Sequence, residues 1–455
     1  MSEHSITMTH SLPLPVRPPT FRAGVLGLGL AAGLLVGPRE ASALQPLSDF
    51  IATARSRNFD AREQAALVAQ RDDEAQQTSW KLAPVVAASG SYTNNQYAAI
   101  ATIPVGNPTL GRTESVTIMA QNQLDATFSA TLPIVDIGAW ERIGAARRTA
   151  DAARAQEKAT ELDVQRAVAQ AYFQVVAADA VLRSSNERRE TAQANLDFVR
   201  TRHSAGVAPE LDLVRAAAEL ESARQDVTEA EYQLRIARRS LATVAGLEPS
   251  PGGLELSDDT SPEAPLESFT VGSSSLPSVL AAGETARAAE RNVDATRAGL
   301  YPTISATATE RVTNAPGFGQ SPYYQFVGTA TWRFDGSTIA QTSAADRAAE
   351  AARVRAERAR REAEDAVFND YQAVVRQSEK TKAARAQRDS STLAADIARQ
   401  RYEAGTANYL DVLTAARDDF AAKVALIQAS ADLAYARAAL HVAAGRRLDG
   451  GSGGR

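Results

Sequence analysis

The residues of this sequence best placed for electrostatic chemistry are two aspartates, Asp212 and Asp411, which occupy the same place in two copies of one motif. Both copies read R-x-x-x-G-x-x-x-x-L-D, first as "RHSAGVAPELD" and again as "RYEAGTANYLD". The glycine is expected to end one helix, and the aspartate falls early in the next. A carboxylate there is either a solvated charge or a group favoured by the helix dipole. The motif therefore indicates a tight connection between two helices, with a negative charge near the start of the second.

Other reactive side chains are scarce. The chain of 455 residues has no cysteine, which excludes thiolate metal sites, disulfides, a cysteine nucleophile and the lipid-attachment cysteine of bacterial lipoproteins. The four histidines, His4, His10, His203 and His441, lie far apart in the sequence, so neither a histidine metal site nor a Ser-His-Asp triad is predicted. His203 or His441 could still act alone. We expect a protein that is not an enzyme and that binds no metal or cofactor.

The composition favours long helices over a compact aromatic core. Only 6% of the residues are aromatic, and alanine is abundant together with Arg, Glu, Gln and Asp. The net charge is −5, and basic residues are interleaved with acidic ones. Because this pattern lacks the basic face of a nucleic-acid-binding protein, we expect no nucleic acid among the partners.

The N-terminus has the pattern of an export signal. Arg17 and Arg22 precede an apolar run at 23–36, and the small residues at 41–43 suit cleavage. The alternative is a membrane anchor, but this run would span only about 21 Å of a roughly 30 Å hydrocarbon core. We predict a cleaved signal peptide at 1–43, and a mature chain that is periplasmic, secreted or an outer-membrane strand protein.

The chain is duplicated internally. When the sequence is shifted by 199 positions, "AVAQAYFQVV" from Ala167 lies on "AVFNDYQAVV" from Ala366, and the two glycine motifs coincide. The offset stays constant for about 80 residues without an insertion. Because a packed helix loses its register with each inserted residue, both copies are predicted to be rigid helices of equal length.

Each copy is predicted to contain one very long helix. No proline lies between Gly138 and Gly206 or between Gly336 and Gly405, and nearly 70 helical residues would extend roughly 100 Å. Apolar residues of the first copy are spaced 4-3-4-3-4, as in a coiled coil of small side chains. These residues are Val164, Val168, Ala171, Val175, Ala178 and Leu182.

Shorter helices are predicted to run back along the long ones. They begin after each glycine, at Pro209–Val244 and Asn408–Ala443, and two more, near 47–79 and 278–299, should stack end to end with them. The predicted boundaries are a first repeat at 44–246, a linker at 247–277, a second repeat at 278–445 and a disordered tail at 446–455.

Four segments alternate with a period of two, which predicts strands. They form one hairpin in each half, with turn-rich loops at Asn94–Glu114 and Asn314–Pro322. Four strands cannot close a barrel, whereas three chains would supply twelve, and aromatic residues near the strand ends favour a membrane. The alternative is the edge of a soluble β-sandwich. The segments are Val85–Thr93, Thr127–Ile134, Thr303–Val312 and Tyr323–Phe334.

Together these features resemble the TolC-like outer-membrane efflux proteins, also called outer membrane factors. The marks are the paired glycine motif, "LYPTIS" at 300–305 with its echo "LAPVVA" at 82–87, and the strand exits "LPIVDIG" and "RFDG". The resemblance covers nearly all of the mature chain. It implies a mainly α homotrimer, in which a 12-stranded barrel crosses the outer-membrane lipid and long helical hairpins continue it as a periplasmic α-barrel. The implied function is that of an exit duct for efflux or type I secretion.

The resemblance also assigns roles to the glycine motifs. The tips, Ala205-Gly206-Val207 and Ala404-Gly405-Thr406, would dock a periplasmic adaptor that links the duct to an inner-membrane RND or ABC transporter. Asp411 would form a ring at the channel constriction, where like charges repel one another and attract cations. Tyr402 and Asp212 would belong to the network that closes the entrance.

This sequence departs from the family pattern at two positions of that network. A second acidic residue, three positions after Asp411, is Thr414 here, and an arginine is Ala407. Asp418, one heptad beyond Asp411 on the same helical face, is a candidate replacement.

Two other protein classes remain open at this point. A periplasmic adaptor also contains coiled-coil hairpins, but it usually has one hairpin flanked by β-rich domains. A purely structural coiled-coil protein would not explain the amphipathic strands. No residue predicts the cargo or the class of pump.

Overall fold

The computed structural model describes residues 44–106, 111, 113–253, 260–270 and 272–448. The predicted signal peptide lies outside the described residues. The elements, in chain order, are α1 Leu47–Arg57, α2 Phe59–Trp80, β1 Val85–Asn94, β2 Ala99–Pro104, β3 Thr113–Met119, β4 Asn122–Val135, α3 Ile137–Ser204, α4 Glu210–Ala245, α5 Glu267–Thr270, α6 Pro277–Arg297, β5 Thr303–Thr313, β6 Tyr323–Thr331, α7 Gly336–Glu403 and α8 Tyr409–Ala443.

The two long helices have the predicted equal length. Helices α3 and α7 contain 68 residues each, or about 100 Å of helix. Both begin at an aspartate of the strand exits: Asp136 Oδ1 accepts from the amide of Ala139 at 2.7 Å, and Asp335 Oδ1 accepts from that of Thr338 at 2.8 Å. Neither these helices nor the other described ones combine enough length and apolarity to cross a bilayer.

The predicted coiled-coil seam is the centre of the largest apolar core. Its first four residues are buried, Ala178 and Leu182 are partly buried against them, and α1 and α4 contribute Phe50 and Leu241. Burial of one such valine stabilises the fold by roughly 1.5–3 kcal/mol. Small side chains let the helices approach closely along the whole seam.

Two shorter helices stack end to end in each half of the chain, as predicted. In the first half, α4 ends where α2 begins: Asn58 Nδ2 donates to the carbonyl of Val244 at 2.9 Å. In the second half, α8 ends against the start of α6. A Cβ added to Gly445 there would lie 2.8 Å from Leu276 Cδ2. Helices α2 and α4 pack against α3, and α8 packs mainly against α7, whereas α6 packs against both long helices.

The helix predicted near 47–79 is divided at Asn58. The backbone of Asn58 is extended, and its side chain accepts hydrogen bonds from the amides of Asp60 and Ala61, which caps α2. An asparagine favours such a cap over a helix interior, and this preference ends α1 at Arg57.

The four predicted strands form one antiparallel sheet in the order β1-β4-β5-β6. One face is polar, and on it Arg311 pairs with Asp125 at 2.5 Å. The other face is mostly apolar and exposed, as at Phe128 and Phe326, although Glu310 interrupts it. Within the described residues, β1 and β6 each pair along one side only. The sheet therefore has two open edges.

The loop predicted at Asn94–Glu114 is wrong in part, because β2 and β3 pair there as a second antiparallel sheet. The Gly, Asn and Pro residues that suggested a continuous loop lie at 106–108, between these two strands. The segment before them, "AIATIP", alternates in exposure as a strand does, whereas "TESVTIM" after them does not.

The start of the predicted tail is packed against the helices. Arg446 donates to the carbonyl of Ser268 at 3.0 Å, and the amide of Leu448 donates to Gln165 Oε1 at 3.0 Å. The rest of the tail, 449–455, lies outside the described residues.

Candidate functional site at the hairpin tips

Both tips are tight turns that only glycine adopts easily. Gly206 has φ of 72° and Gly405 has φ of 76°. In the first tip, the amides of Gly206 and Val207 donate to the carbonyls of His203 and Arg202, each at 2.9 Å. This pattern is the Schellman motif, and the second tip repeats it. A Cβ at either glycine would meet nothing within 4 Å, so backbone conformation rather than crowding selects the residue.

Arg202 ties the two tips together. Its Nη1 donates to the carbonyl of Glu403 at 3.2 Å, at the C-terminal end of α7, where carbonyls lack helical partners. The guanidinium also lies over the rings of Phe198 and Tyr402, at 5.6 and 5.2 Å from their centroids. The tips therefore form one unit within the chain.

Tyr402 and Asp212, two of the predicted network residues, are brought together. The buried Tyr402 donates its hydroxyl proton to Asp212 Oδ2 at 3.4 Å. Burial, and then the negative charge of Asp212, raises the pKa of Tyr402, so the phenol stays protonated. Its ring lies 5.4 Å from that of Tyr409, whose pKa burial raises to about 12. His203, the counterpart of Tyr402 in the repeat, contacts the carbonyl of Ala208 at 3.0 Å.

Asp411 and Asp418 lie apart from this pair, on the exposed surface of α8. The amide of Asp411 donates to Asn408 Oδ1 at 2.9 Å, which caps α8. Thr414, which stands in place of an acidic residue, is exposed and bonds the carbonyl of Leu410 at 3.0 Å. The structure thus leaves both carboxylates free to face solvent or another chain.

A fourth acidic residue, which was not predicted, is buried between the hairpins. Glu219 of α4 is only 6% exposed. Its Oε1 accepts from Arg188 Nη2 at 2.6 Å, and its Oε2 accepts from Arg417 Nη2 at 2.8 Å and Nε at 3.0 Å. Arg188 belongs to α3 and Arg417 to α8, so one carboxylate joins both hairpins.

Two signals in the sequence could have revealed Glu219. It lies three residues after Ala216 and four before Ala223, both fully buried, so it falls on the apolar face of α4. A charge on such a face requires a partner of opposite sign. In addition, Glu219 coincides with Asp418 when the sequence is shifted by 199 positions.

Residues 50–247 and 274–446 match the sequence model of a family described as outer membrane efflux protein. This chain belongs to the outer membrane efflux protein family. The predicted TolC-like resemblance is therefore confirmed, and the adaptor and structural coiled-coil alternatives are wrong.

Two curated proteins are similar to this efflux protein in sequence, and a solved structure is similar to it in fold. The fusaric acid resistance protein FusA of Burkholderia cepacia is 25% identical over 237 residues, 47% of this chain and 44% of FusA, so the match spans less than half of that protein. The pyoverdine export outer membrane protein OpmQ of Pseudomonas putida KT2440 is 27% identical over 338 residues, 69% of this chain and 70% of OpmQ. The crystal structure of CusC superimposes with a TM-score of 0.75 at 20% identity, over 92% of this chain and 99% of CusC.

Proposed function

We propose that this efflux protein is the passive exit duct of a tripartite export system and catalyses no reaction. The observation that carries the proposal is the direct continuation of an amphipathic sheet into 68-residue helical hairpins. Strand β4 ends at Val135 and α3 begins at Ile137. A pore lined by the sheet would therefore lead into a tube of helices about 100 Å long.

The duct is assembled from three copies of the chain. The open edges of β1 and β6 cannot remain unpaired in a bilayer, because no water is present there to satisfy the backbone groups. Pairing of β6 in one copy with β1 in the next removes both edges. Three copies supply twelve strands, which are enough to enclose a pore.

The two faces of the sheet suit an outer-membrane barrel. The apolar face, with Val86, Phe128 and Phe326 exposed, would contact lipid, and the polar face, with Asp125 and Arg311, would line the lumen. The chain has no cysteine that could carry a lipid anchor. The strands are the part of the chain that would contact lipid.

The hairpin tips face the periplasm and dock an adaptor protein that connects the duct to an inner-membrane RND or ABC transporter. The exposed residues of the tips, Ala205-Gly206-Val207 and Ala404-Gly405-Thr406, are available to such a partner. Asp411 and Asp418, exposed on α8, form acidic rings near the entrance when three copies assemble around one axis. Tyr402 and Asp212 join the two tips of each copy.

Small organic molecules are the first cargo class to test. FusA is named for resistance to fusaric acid, and OpmQ is named for pyoverdine export. A passive duct needs no specific pocket for either cargo, so selection belongs to the pump.

Reconstitution of the purified protein tests the duct directly. We expect it to require detergent for extraction from the outer membrane, to run as a heat-sensitive trimer on gels and to conduct ions in planar bilayers. Because the chain has no cysteine, each cysteine variant contains a single thiol. In cells, Thr406→Cys should crosslink to an adaptor, whereas Thr342→Cys, near the start of α7 and far from the tip, should not. A water-soluble monomer without conductance would overturn the proposal.

A further inference from the structure

An ionic cluster around the buried Glu219 joins the two helical hairpins at a level well inside the tips, and its Arg417 side chain is 54% exposed. Glu219 lies nine residues after the start of α4, and Arg417 lies eight residues after the start of α8, or roughly 12–14 Å along each helix. The cluster is therefore separate from the Tyr402–Asp212 contact. Residues at this level can hold the hairpins together even where the tips themselves separate.

The cluster uses both oxygens of a single carboxylate. Arg188 satisfies Oε1 from the same hairpin, and Arg417 satisfies Oε2 from the other one with two N–H groups. Arg188 is held in turn by Asp226 of α4, and its guanidinium lies 4.7 Å from the ring centroid of Phe420 on α8. Two contacts thus cross from one hairpin to the other, the Arg417 ion pair and the Arg188–Phe420 stack.

Separation of the hairpins would affect the two arginines differently. Arg188 would keep Glu219 and Asp226, because all three belong to α3 and α4. Arg417 would lose its partner, and one oxygen of a largely buried carboxylate would lose its donors. Such a loss is costly because the protein interior screens charge poorly.

The ion pair has more and shorter hydrogen bonds than the predicted tip contact. Tyr402 reaches Asp212 with one neutral donor at 3.4 Å, whereas Arg417 reaches Glu219 with two charged donors at 2.8 and 3.0 Å. Charge-assisted hydrogen bonds of this length are about twice as strong as neutral ones. The cluster also compensates for Ala407 and Thr414, which provide no charge at the tips.

We propose that the Arg188–Glu219–Arg417 cluster is the main latch that keeps the periplasmic entrance of this duct closed. The inference rests on the proposed function and deepens it by naming how the entrance is regulated. A docking partner opens the duct when it draws α8 away from Glu219. The Tyr402–Asp212 contact is then a second contact that helps to keep the entrance closed.

Single-channel recording of purified trimers tests the latch. Arg417→Ala should raise conductance several-fold over the unchanged protein, and Arg417→Lys, which keeps the charge, should restore most of the closed behaviour. Glu219→Gln should raise conductance as well, and the Glu219→Gln/Arg417→Ala double variant should exceed neither single variant by much, because both changes break one interaction. Trimer bands on gels show that each variant is assembled.

Arg224→Ala is the matched control, because Arg224 also lies on the tip half of a returning helix but pairs with Glu221 within α4, at 2.7 Å. It should conduct like the unchanged protein. The latch would be overturned, and the duct left intact, if Arg417→Ala conducted like the unchanged protein. The same would follow if Arg224→Ala raised conductance as much as Arg417→Ala. Trimers that carry no current in any variant would overturn both the latch and the duct.

Discussion

The hydroxyl of Tyr402 donates to Asp212 Oδ2 at 3.4 Å and so joins the end of α7 to the start of α4. The contact is long, and it joins a buried tyrosine to a partly buried aspartate. Tyr402 and Asp212 were predicted to interact from the family pattern. The Glu219–Arg417 pair, which has two charged donors, lies one to two helical turns further from the tips. The two contacts together suggest an entrance that is closed at two levels, with unequal contributions.

Tyr402→Phe removes only the hydroxyl group and should open the entrance weakly. A neutral donor to a half-buried carboxylate contributes about 1 kcal/mol, so the rise in single-channel conductance should be smaller than that of Arg417→Ala. Tyr232→Phe, at an exposed position of α4, is the control and should change nothing. A larger effect from Tyr402→Phe than from Arg417→Ala would reverse the proposed order of the two contacts.

Substitution of Gly206 or Gly405 by leucine should abolish export and leave trimers in the membrane. A side chain at positive φ costs roughly 1–2 kcal/mol, which deforms the tip without unfolding a helix of 68 residues. Asparagine, which tolerates this conformation better, should retain part of the export. The control is Gly283→Ala, inside α6, which should leave export unchanged and slightly stabilise the helix. Normal export from both leucine variants would contradict the docking role of the tips.

Asp411→Ala should weaken the block of single-channel conductance by divalent cations. Three exposed carboxylates around one axis attract a divalent cation more strongly than a monovalent one, and their removal lowers the local negative potential. Asp418→Ala should have a smaller effect, and the double variant the largest. Glu362→Ala, an exposed charge far from the tip of α7, serves as the control. Unchanged block in Asp411→Ala would remove Asp411 from the constriction.

His441 should make the helical domain less stable in acid. Burial lowers the pKa of His441, which packs edge-on against Phe269 at 5.8 Å between ring centroids, and the charges of Arg446 and Arg437 lower it further while Glu263 opposes them. Since the unfolded chain binds the proton more readily, stability is complete above about pH 6.5 and falls as the pH drops below that value.

Thermal unfolding in detergent at pH 7.5 and pH 5.5 measures this effect. The midpoint of the unchanged protein should fall more between these two conditions than that of His441→Gln, because glutamine at this position does not titrate. An equal fall for both proteins would exclude His441 as a source of the pH dependence.

The regular parts of the fold were predictable because they repeat. A constant offset over both copies implies helices of equal length, and α3 and α7 have 68 residues each. The positions of β1, β4, β5 and β6 followed from alternation alone, and both helix-starting aspartates, Asp136 and Asp335, were contained in the strand-exit motifs. Local patterns suffice where each residue depends mainly on its near neighbours.

The unpredicted parts depend on distant neighbours. Asn58 ends a helix partly because its amide reaches Val244, and Glu219 is stable in the interior only because Arg188 and Arg417 converge on it. No local pattern records such partners. The pair β2 and β3 was missed for a different reason, since small and polar residues make a short hairpin look like a loop.

The junction at Asp136 limits how this gene can vary in length. A single residue separates β4 from α3, and successive helical residues are rotated by about 100°. Insertion or deletion of one codon there would turn 68 residues by that angle and move the buried seam out of contact with α1 and α4 together. Length variation among natural variants should therefore be absent from this junction and should collect in the connection between β2 and β3.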